Sequence, residues 1–420
     1  MAKRRNRAKR RRQGRGSSRA RGPRRTPASF ELASMSGVPG KDRELLSVSI
    51  AAGPAVTAFL DTIGSAKTGL LTSTRTDAST GVTVFHLPPG SNPDRIVHEI
   101  RLIAGKRAID HLIIECEPDR PPMAYASLFA APDNLPQTLN DVSKLTATVF
   151  VIQPADLLDA ILGRRANSLQ TCFVAEQMEF VSHIFFEAAS GDRDFDLARS
   201  IALALNPRTN VSPLDSAAVK RCYDLPASSF DFEAALSGAG WRQVLDGKEP
   251  TLTADDRITA LAYRARRPFH PGRFWNLLQQ NLGGVFRAKG FFWLATRMDE
   301  VGGLNLAGSE LHCASAGAWR AARDQSSRAA EMPERTRNEW KEPFGDRRQT
   351  FAIMAFEANR HTLQSQLDAC LLTDEEMAEG PEHWTSFADP FPSWSTHSHH
   401  HHDHECDHDH DSEEHDCCHH

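Results

Sequence analysis

VTAFLDTIGSAKTGLL, residues 56–71, decides how the first half of this chain is read. VTAFL is short, apolar and β-branched, the composition of a strand. Turn-forming residues follow, then Lys67-Thr68, then the apolar GLL, which reads as a helix start. A strand, a Gly/Ser loop, Lys-Thr and a helix are the parts of a nucleotide phosphate loop, whose strict pattern is G-x-x-x-x-G-K-[ST]. Gly64, Lys67 and Thr68 match such a loop, while Asp61 and Ala66 stand at its two glycine positions.

The flanking sequence supplies the rest of an α/β domain over residues 46–225. SVSIA, VTVFHL, HLIIE, ATVFVIQ and HIFFEA read as further strands, several of them apolar on both faces. PDRIVHEIRLIAG and ADLLDAILGRRA carry apolar residues at helical spacing. Strands alternating with helices predict a parallel sheet covered by helices, here of the phosphate-loop type. Residues 226–255, including FDFEAALSGAGWRQ, read as a connector.

The pattern changes over 256–394, which reads as a smaller α+β domain. ITALAYRARR and FRAKGFFWLATR alternate like half-exposed strands, with PFHPGRFWNLLQQ between them as a helix entered through proline. LNLAGSELHCASAG predicts a hairpin, TFAIMAFEA a strand and HTLQSQLDACLL a helix; 319–345 is a polar, charged excursion.

The two ends have other compositions. Residues 1–25 hold 13 Lys/Arg and no acid, leaving 36 basic against 54 acidic residues in the remainder. Such a self-repelling run predicts disorder over a basic N-terminal segment and linker, 1–45. Weak, sequence-independent contact with nucleic acid is its functional reading; a solvated tail, or translation from Met35, is the plainer one. No apolar stretch reaches the roughly 18 residues of a membrane span, and the N-terminus lacks the apolar region of a secretory signal. The expectation is a cytoplasmic protein with no membrane partner.

Residues 395–420, STHSHHHHDHECDHDHDSEEHDCCHH, read as a metal-binding tail with eleven His, three Cys and eight Asp/Glu. Imidazole and thiolate suit borderline cations, and four such donors complete a tetrahedral Zn²⁺ shell. The donors are His397, His399, His400, His401, His402, His404, Cys406, His408, His410, His415, Cys417, Cys418, His419 and His420. Their many overlapping sets of four predict exchangeable binding of several ions, which suits capture and hand-off. Zn²⁺ is the first expectation, with Ni²⁺ and Co²⁺ behind it. A plain acidic tail or a purification tag is the alternative; the interleaved Asp, Glu and Cys argue against a tag.

Cys116, Cys172, Cys222, Cys313 and Cys370 are scattered singly and read as small buried hydrophobes. Cys172 and His183 lack a supporting motif for a nucleophile pair. Asp231 and Glu233 read as helix-capping rather than as paired catalytic carboxylates. In FRAKGFFWLATR, Arg287, Lys289 and Arg297 interleave with aromatics, a pattern shared by nucleic-acid-binding faces and by ordinary half-buried strands.

Taken together, these strings resemble the CobW-like family of P-loop GTPases, metal-handling proteins that are typically zinc metallochaperones. The resemblance is carried by YRARRPFHPGRFWNLL (263–278), GVFRAKGFFWLATR (284–297), GDRRQ (345–349) and LDACLLTDEEMAEGP (367–381), and upstream by VTAFLDTIGSAKTGLL, DHLIIECEP, AEQMEFVSHIFFEAAS and ALNPRT. It implies a GTP- and Mg²⁺-dependent cycle that loads a metal into a client metalloprotein. It also implies nucleotide-binding roles for Gly64, Lys67, Thr68 and Glu115. The family's Glu-Ser-x-Gly here reads Glu115-Cys116-Glu117-Pro118, and its guanine-reading Asn-Lys-x-Asp reads Glu187-Ala188-Ala189-Ser190. Its Cys-x-Cys-Cys metal motif has no cysteine counterpart in FHLPPGSNPDR (85–95), where His86 falls near the first position. These departures lead to the expectation of a metal-binding accessory protein with an eroded nucleotide site. An active GTP-dependent zinc chaperone and a nucleic-acid-associated metal sensor are the alternatives.

Overall fold

The computed structural model describes residues 45–394, except 64–66, 75–81, 131–138, 166–168, 189–191, 224–229, 248–254, 281, 324–336 and 338. Two sheets organise the described residues. The first has seven parallel strands in the order β3-β2-β4-β1-β5-β6-β7. They are β1 (Leu46–Ala52), β2 (Thr68–Thr72), β3 (Val82–His86), β4 (His111–Glu115), β5 (Ser143–Ile152), β6 (His183–Phe186) and β7 (Asn210–Pro213). The apolar runs in β1, β4 and β5 are buried along nearly their whole length, as a parallel sheet covered on both faces requires.

Helices supply that cover. On one face, α2 (Pro93–Lys106) and α3 (Pro122–Ala130) pack Ile96, Ile100, Ile103, Tyr125 and Phe129 onto Val48, Ile50, Leu112 and Ile114. Asn92 starts α2 by accepting the Arg95 N–H at 2.9 Å, with Pro93 as the first helical residue. On the other face, α1 (Val56–Thr62) and α7 (Ser216–Tyr223) bring Phe59, Leu60 and Val219 onto Ala51, Ile113 and Val149. α4 (Pro154–Leu162), α5 (Thr171–Phe180) and α6 (Phe195–Leu205) pack against Phe150 and Ile152 of β5 and Ile184 and Phe186 of β6.

VTAFL is therefore a helix, and the strand expected there is corrected. β1 and β2 run parallel in one sheet, so the chain leaving β1 must cross back before β2 can begin. α1 makes that return, and Phe59, Leu60 and Ile63 turn into the core. The helix start expected at Gly69-Leu70-Leu71 is likewise the strand β2. Gly69 fits this strand because a Cβ there would lie 2.5 Å from Ile109 Cδ1 and 2.8 Å from Phe85 Cε2.

The connector forms two short helices, α8 (Phe232–Ser237) and α9 (Gly240–Leu245). The second sheet is antiparallel, in the order β11-β10-β9-β12-β8. Its strands are β8 (Ile258–Ala265), β9 (Val285–Phe292), β10 (Glu300–Ala307), β11 (Glu310–Ala318) and β12 (Gln349–Phe356). With α10 (Pro271–Gln279), α11 (Arg360–Asp368) and α12 (Asp374–Trp384), they reproduce the expected α+β pattern. One face packs Phe269, Phe274, Phe292 and Phe351 against Leu363 and Leu367. The opposite face shares a core with the first sheet, where Phe286, Ala352 and Met354 meet Phe150, Leu157 and Ile201. No helix of the described residues is long and apolar enough to cross a membrane.

Candidate functional site

In open parallel sheets, ligands bind beyond the carboxyl ends of the strands, where connections diverge to opposite sides. Here the chain leaves β1 toward β2 on one side, and leaves β4 for β5 on the other side of β1. The turn after β1 is Gly53-Pro54-Ala55, only three residues before α1. Gly53 has φ +109°, and a Cβ there would sit 2.2 Å from the Val151 carbonyl oxygen. Ala55 N–H donates to that same carbonyl at 3.1 Å. The turn is thus pressed onto the end of β5.

This turn is the strand–loop–helix unit that the fold provides, and it lies upstream of the one expected from sequence. Laid on it, G-x-x-x-x-G-K-[ST] spans residues 50–57. Ile50 and Ala55 take the glycine positions, Val56 takes the lysine position, and Thr57 keeps the hydroxyl.

Lys67 and Thr68 sit elsewhere. Lys67 precedes β2 at the amino end of the sheet, where Nζ pairs with Asp110 Oδ2 at 3.0 Å, both side chains largely exposed. Thr68 is buried at the first position of β2, opposite His111 and Val82. Glu115 ends β4 at the carboxyl end of the strands, about five strand residues or roughly 16 Å away. Lys67, Thr68 and Glu115 do not converge, because they lie at opposite ends of the strands. Gly64 and the tail donors His397 to His420 lie outside the described residues, as does the basic segment 1–25.

Glu115 belongs to a polar row on the carboxyl crest. Thr72 Oγ1 donates to its Oε2 at 2.6 Å, and Thr74 Oγ1 reaches the same oxygen at 3.3 Å. Register places His86 beside Thr72, at the exposed end of edge strand β3. Glu117 accepts the Gly90 N–H at 2.7 Å and faces Arg120 at 3.6 Å. Burial pushes the Cys116 thiol well above its ordinary range, and the Glu115 carboxylate adds to this while Arg120 opposes it. Cys116 is thus a protonated thiol rather than a nucleophile at neutral pH. Glu187, where the resemblance led us to expect a guanine reader, follows β6 and accepts from Gln153 Nε2 at 3.2 Å; Ala189 and Ser190 lie outside the described residues.

Cys172 lies in the first turn of α5, while His183 opens β6 beyond the far end of that helix, so about 12 Å of helix and a short turn separate them. Asp231 caps α8, accepting the Ala234 N–H at 2.9 Å. The basic residues of FRAKGFFWLATR face carboxylates: Arg287 with Glu179, Lys289 with Glu176 and Arg297 with Asp389. They form internal ion pairs, so that strand presents no unpaired basic stripe for a phosphate backbone.

Sequence reading passed over one further group. Cys172, Glu310 and His312 place a thiol sulfur, a carboxylate oxygen and an imidazole nitrogen within 4.8 Å of one another. The residues lie on two elements 138 positions apart. The local signal was Glu310-x-His312, two donors on one face of a strand.

Residues 258–371 match the model of the cobalamin synthesis protein cobW C-terminal domain. Over 312 residues the chain is 27% identical to the zinc-regulated GTPase metalloprotein activator 1 of Dictyostelium discoideum, covering 70% of this chain and 66% of that protein. Over 148 residues it is 40% identical to a zinc chaperone of Mycobacterium tuberculosis, covering 34% of this chain and 37% of that one. The chain thus spans less than two thirds of the length of either relative. Among solved structures, the Zn(II)-bound YjiA GTPase of E. coli aligns over 79% of this chain and all of that one, at 12% identity and a TM-score of 0.34.

Proposed function

We propose that this chain, a CobW-like protein, is a metal-handling accessory protein of the cytoplasm that captures Zn²⁺ in its C-terminal tail and presents it to a client metalloprotein. One observation carries the reading: the tail joins eleven His and three Cys to a chain whose relatives are named for zinc. The chemistry of those donors suits exchangeable binding of a borderline cation. Ni²⁺ and Co²⁺ would compete at the same ligands.

In this reading the parallel sheet serves as a scaffold rather than as a GTPase. A Mg²⁺–triphosphate needs a lysine, a glycine-rich backbone cradle and a hydroxyl at the strand–helix turn. Val56 and Ala55 replace the first two, and Pro54 removes one backbone donor from the turn. These replacements support the scaffold reading.

Two measurements test the proposal. Bound zinc is counted after equilibrium dialysis of the full chain and of a chain ending at residue 394. The full chain is expected to hold several more ions, and equal stoichiometry would overturn the tail assignment. Calorimetric titration with GTP and Mg²⁺ is expected to show no heat of binding. Micromolar affinity would instead establish the second reading, a GTP-dependent chaperone, which the Glu115–Thr72 pair on the sheet crest favours.

A further inference from the structure

We propose that Cys172, Glu310 and His312 form a divalent transition-metal site, suited to Zn²⁺, that joins α5 of the parallel sheet domain to β11 of the antiparallel sheet. The site is separate from the tail and does not depend on it.

The fold brings the donors together. The turn between β10 and β11 contains Gly308, at φ +56°, where a Cβ would lie 2.3 Å from the Ala160 carbonyl oxygen and 3.1 Å from Thr171 Cγ2. The turn is therefore seated against the end of α4 and the first residue of α5. β11 rises from it with Glu310 and His312 on one face. Glu310 Oε2 accepts the backbone N–H of Cys172 at 2.9 Å, and Cys172 Sγ lies 3.5 Å from the Glu310 carbonyl oxygen. The second carboxylate oxygen, Oε1, is 2.6 Å from His312 Nε2.

The donor set suits a borderline cation. A thiolate, an imidazole and a carboxylate are each ordinary zinc ligands, and three protein ligands leave a fourth position open for water or exchange. Exposure is graded across the group. Cys172 is buried at the back, the Glu310 side chain is 30% exposed, and the His312 side chain at the mouth is 59% exposed. An ion could thus enter from solvent and end against the sulfur. The bond from Cys172 N–H to Oε2 holds the carboxylate by one oxygen and leaves Oε1 turned toward His312, as an outer-shell contact does in established zinc sites. On binding, the Cys172 S–H bond breaks and its proton passes to solvent as the S–metal bond forms. The imidazole gives up its hydrogen bond to Oε1, and rotation of the exposed ring opens the gap that the ion fills.

The plainer account is that Glu310 only caps α5 and that His312 only pairs with Glu310. That account needs no sulfur within reach of both, and it makes a different prediction. A site formed only in the folded chain raises the unfolding temperature when its ion is added, because the ion binds the folded state alone. Low-complexity tail ligands would bind equally in the unfolded chain and contribute little to such a shift.

The test is thermal unfolding of the full chain, stripped with chelator and then titrated with ZnCl₂, for wild type, His312→Ala and Cys172→Ser. Wild type is expected to gain several degrees. His312→Ala removes an exposed side chain, so its metal-free unfolding temperature should stay near wild type while most of the gain is lost. Replacing Zn²⁺ by CoCl₂ should give a thiolate-to-cobalt charge-transfer band whose intensity falls in Cys172→Ser. An equal zinc-induced gain in wild type and His312→Ala would overturn the proposal, as would no gain in wild type. Should Cys172→Ser fold poorly, His312→Gln decides the same question by the same shift.

Discussion

Arg287 of β9 and Glu179 of α5 form a buried two-pronged ion pair, Nε to Oε1 at 2.6 Å and Nη2 to Oε2 at 3.1 Å. The arginine side chain is 0% exposed and the glutamate 7%. Nη1 also donates to Asn305 Oδ1 at 2.5 Å and to the Leu306 carbonyl at 3.0 Å. Cys172, Glu176 and Glu179 share one face of α5 by their spacing of four and three. Cys172 meets Glu310 of β11, Glu176 meets Lys289 of β9 and Asn305 of β10, and Glu179 meets Arg287 of β9. This face is a polar seam between two otherwise apolar units.

Breaking that seam from one side leaves a carboxylate stranded. Arg287→Met should destabilise the chain by about 3–5 kcal/mol, the usual cost of removing one partner of a buried pair. Arg287→Met with Glu179→Leu should recover part of this, since no buried charge is then left alone. Urea unfolding of the three proteins decides it. A double variant as unstable as the single would show that packing, and not the stranded charge, sets the loss.

Much of this arrangement was legible in the sequence. Apolar runs such as HLIIE and ATVFVIQ, and the helical stripe of PDRIVHEIRLIAG, became β4, β5 and α2 as expected. VTAFL misled because five residues of β-branched and apolar type suit a buried strand or a buried helix equally. Only the return path from β1 to β2 decides between them, and that is a property of the sheet. The strand–turn–helix unit accordingly lies before Val56-Thr57, and not before Lys67-Thr68. Of the Cys172–Glu310–His312 group only the Glu310-x-His312 spacing is local; Cys172 joins it only when α5 docks on the β10–β11 hairpin.

Gly69 gives a direct test of that correction. If GLL opened a helix after a phosphate loop, an added side chain at Gly69 would be tolerated or mildly stabilising. In the strand, a Cβ meets Ile109 and Phe85 at under 3 Å. Gly69→Val should therefore cost about 1–3 kcal/mol through overpacking, measured by urea unfolding. Lys67→Ala is the matched control. Its partner Asp110 is 70% exposed, and such surface pairs contribute about 0–1 kcal/mol. A neutral Gly69→Val would return the stretch to a helix.

Acid should weaken the fold in a window set by buried imidazoles. Burial pushes His111 and His183 each down to about 4, against about 6.5 for an unfolded histidine. His270 is lowered too, by burial and then by Arg273. Below about pH 6.5 the unfolded chain takes up protons that these rings refuse when folded. Their contribution is thus fully present above about pH 6.5, falls as pH drops toward about 4, and then levels off. The slope is at most about 1.4 kcal/mol per pH unit for each ring. Glu376, held down to about 2 first by its hydrogen bond to Arg273, acts in a lower window: its stabilisation is present above about pH 4.5 and is lost toward about 2. Urea unfolding at pH 7.5 and 5.0 therefore isolates the histidines. His183→Gln, which keeps a polar group near Ser182 Oγ, 3.0 Å from Nδ1 in the native chain, should reduce the difference between the two pH values. An unchanged difference would show that His183 is protonated as readily in the folded chain as in the unfolded one.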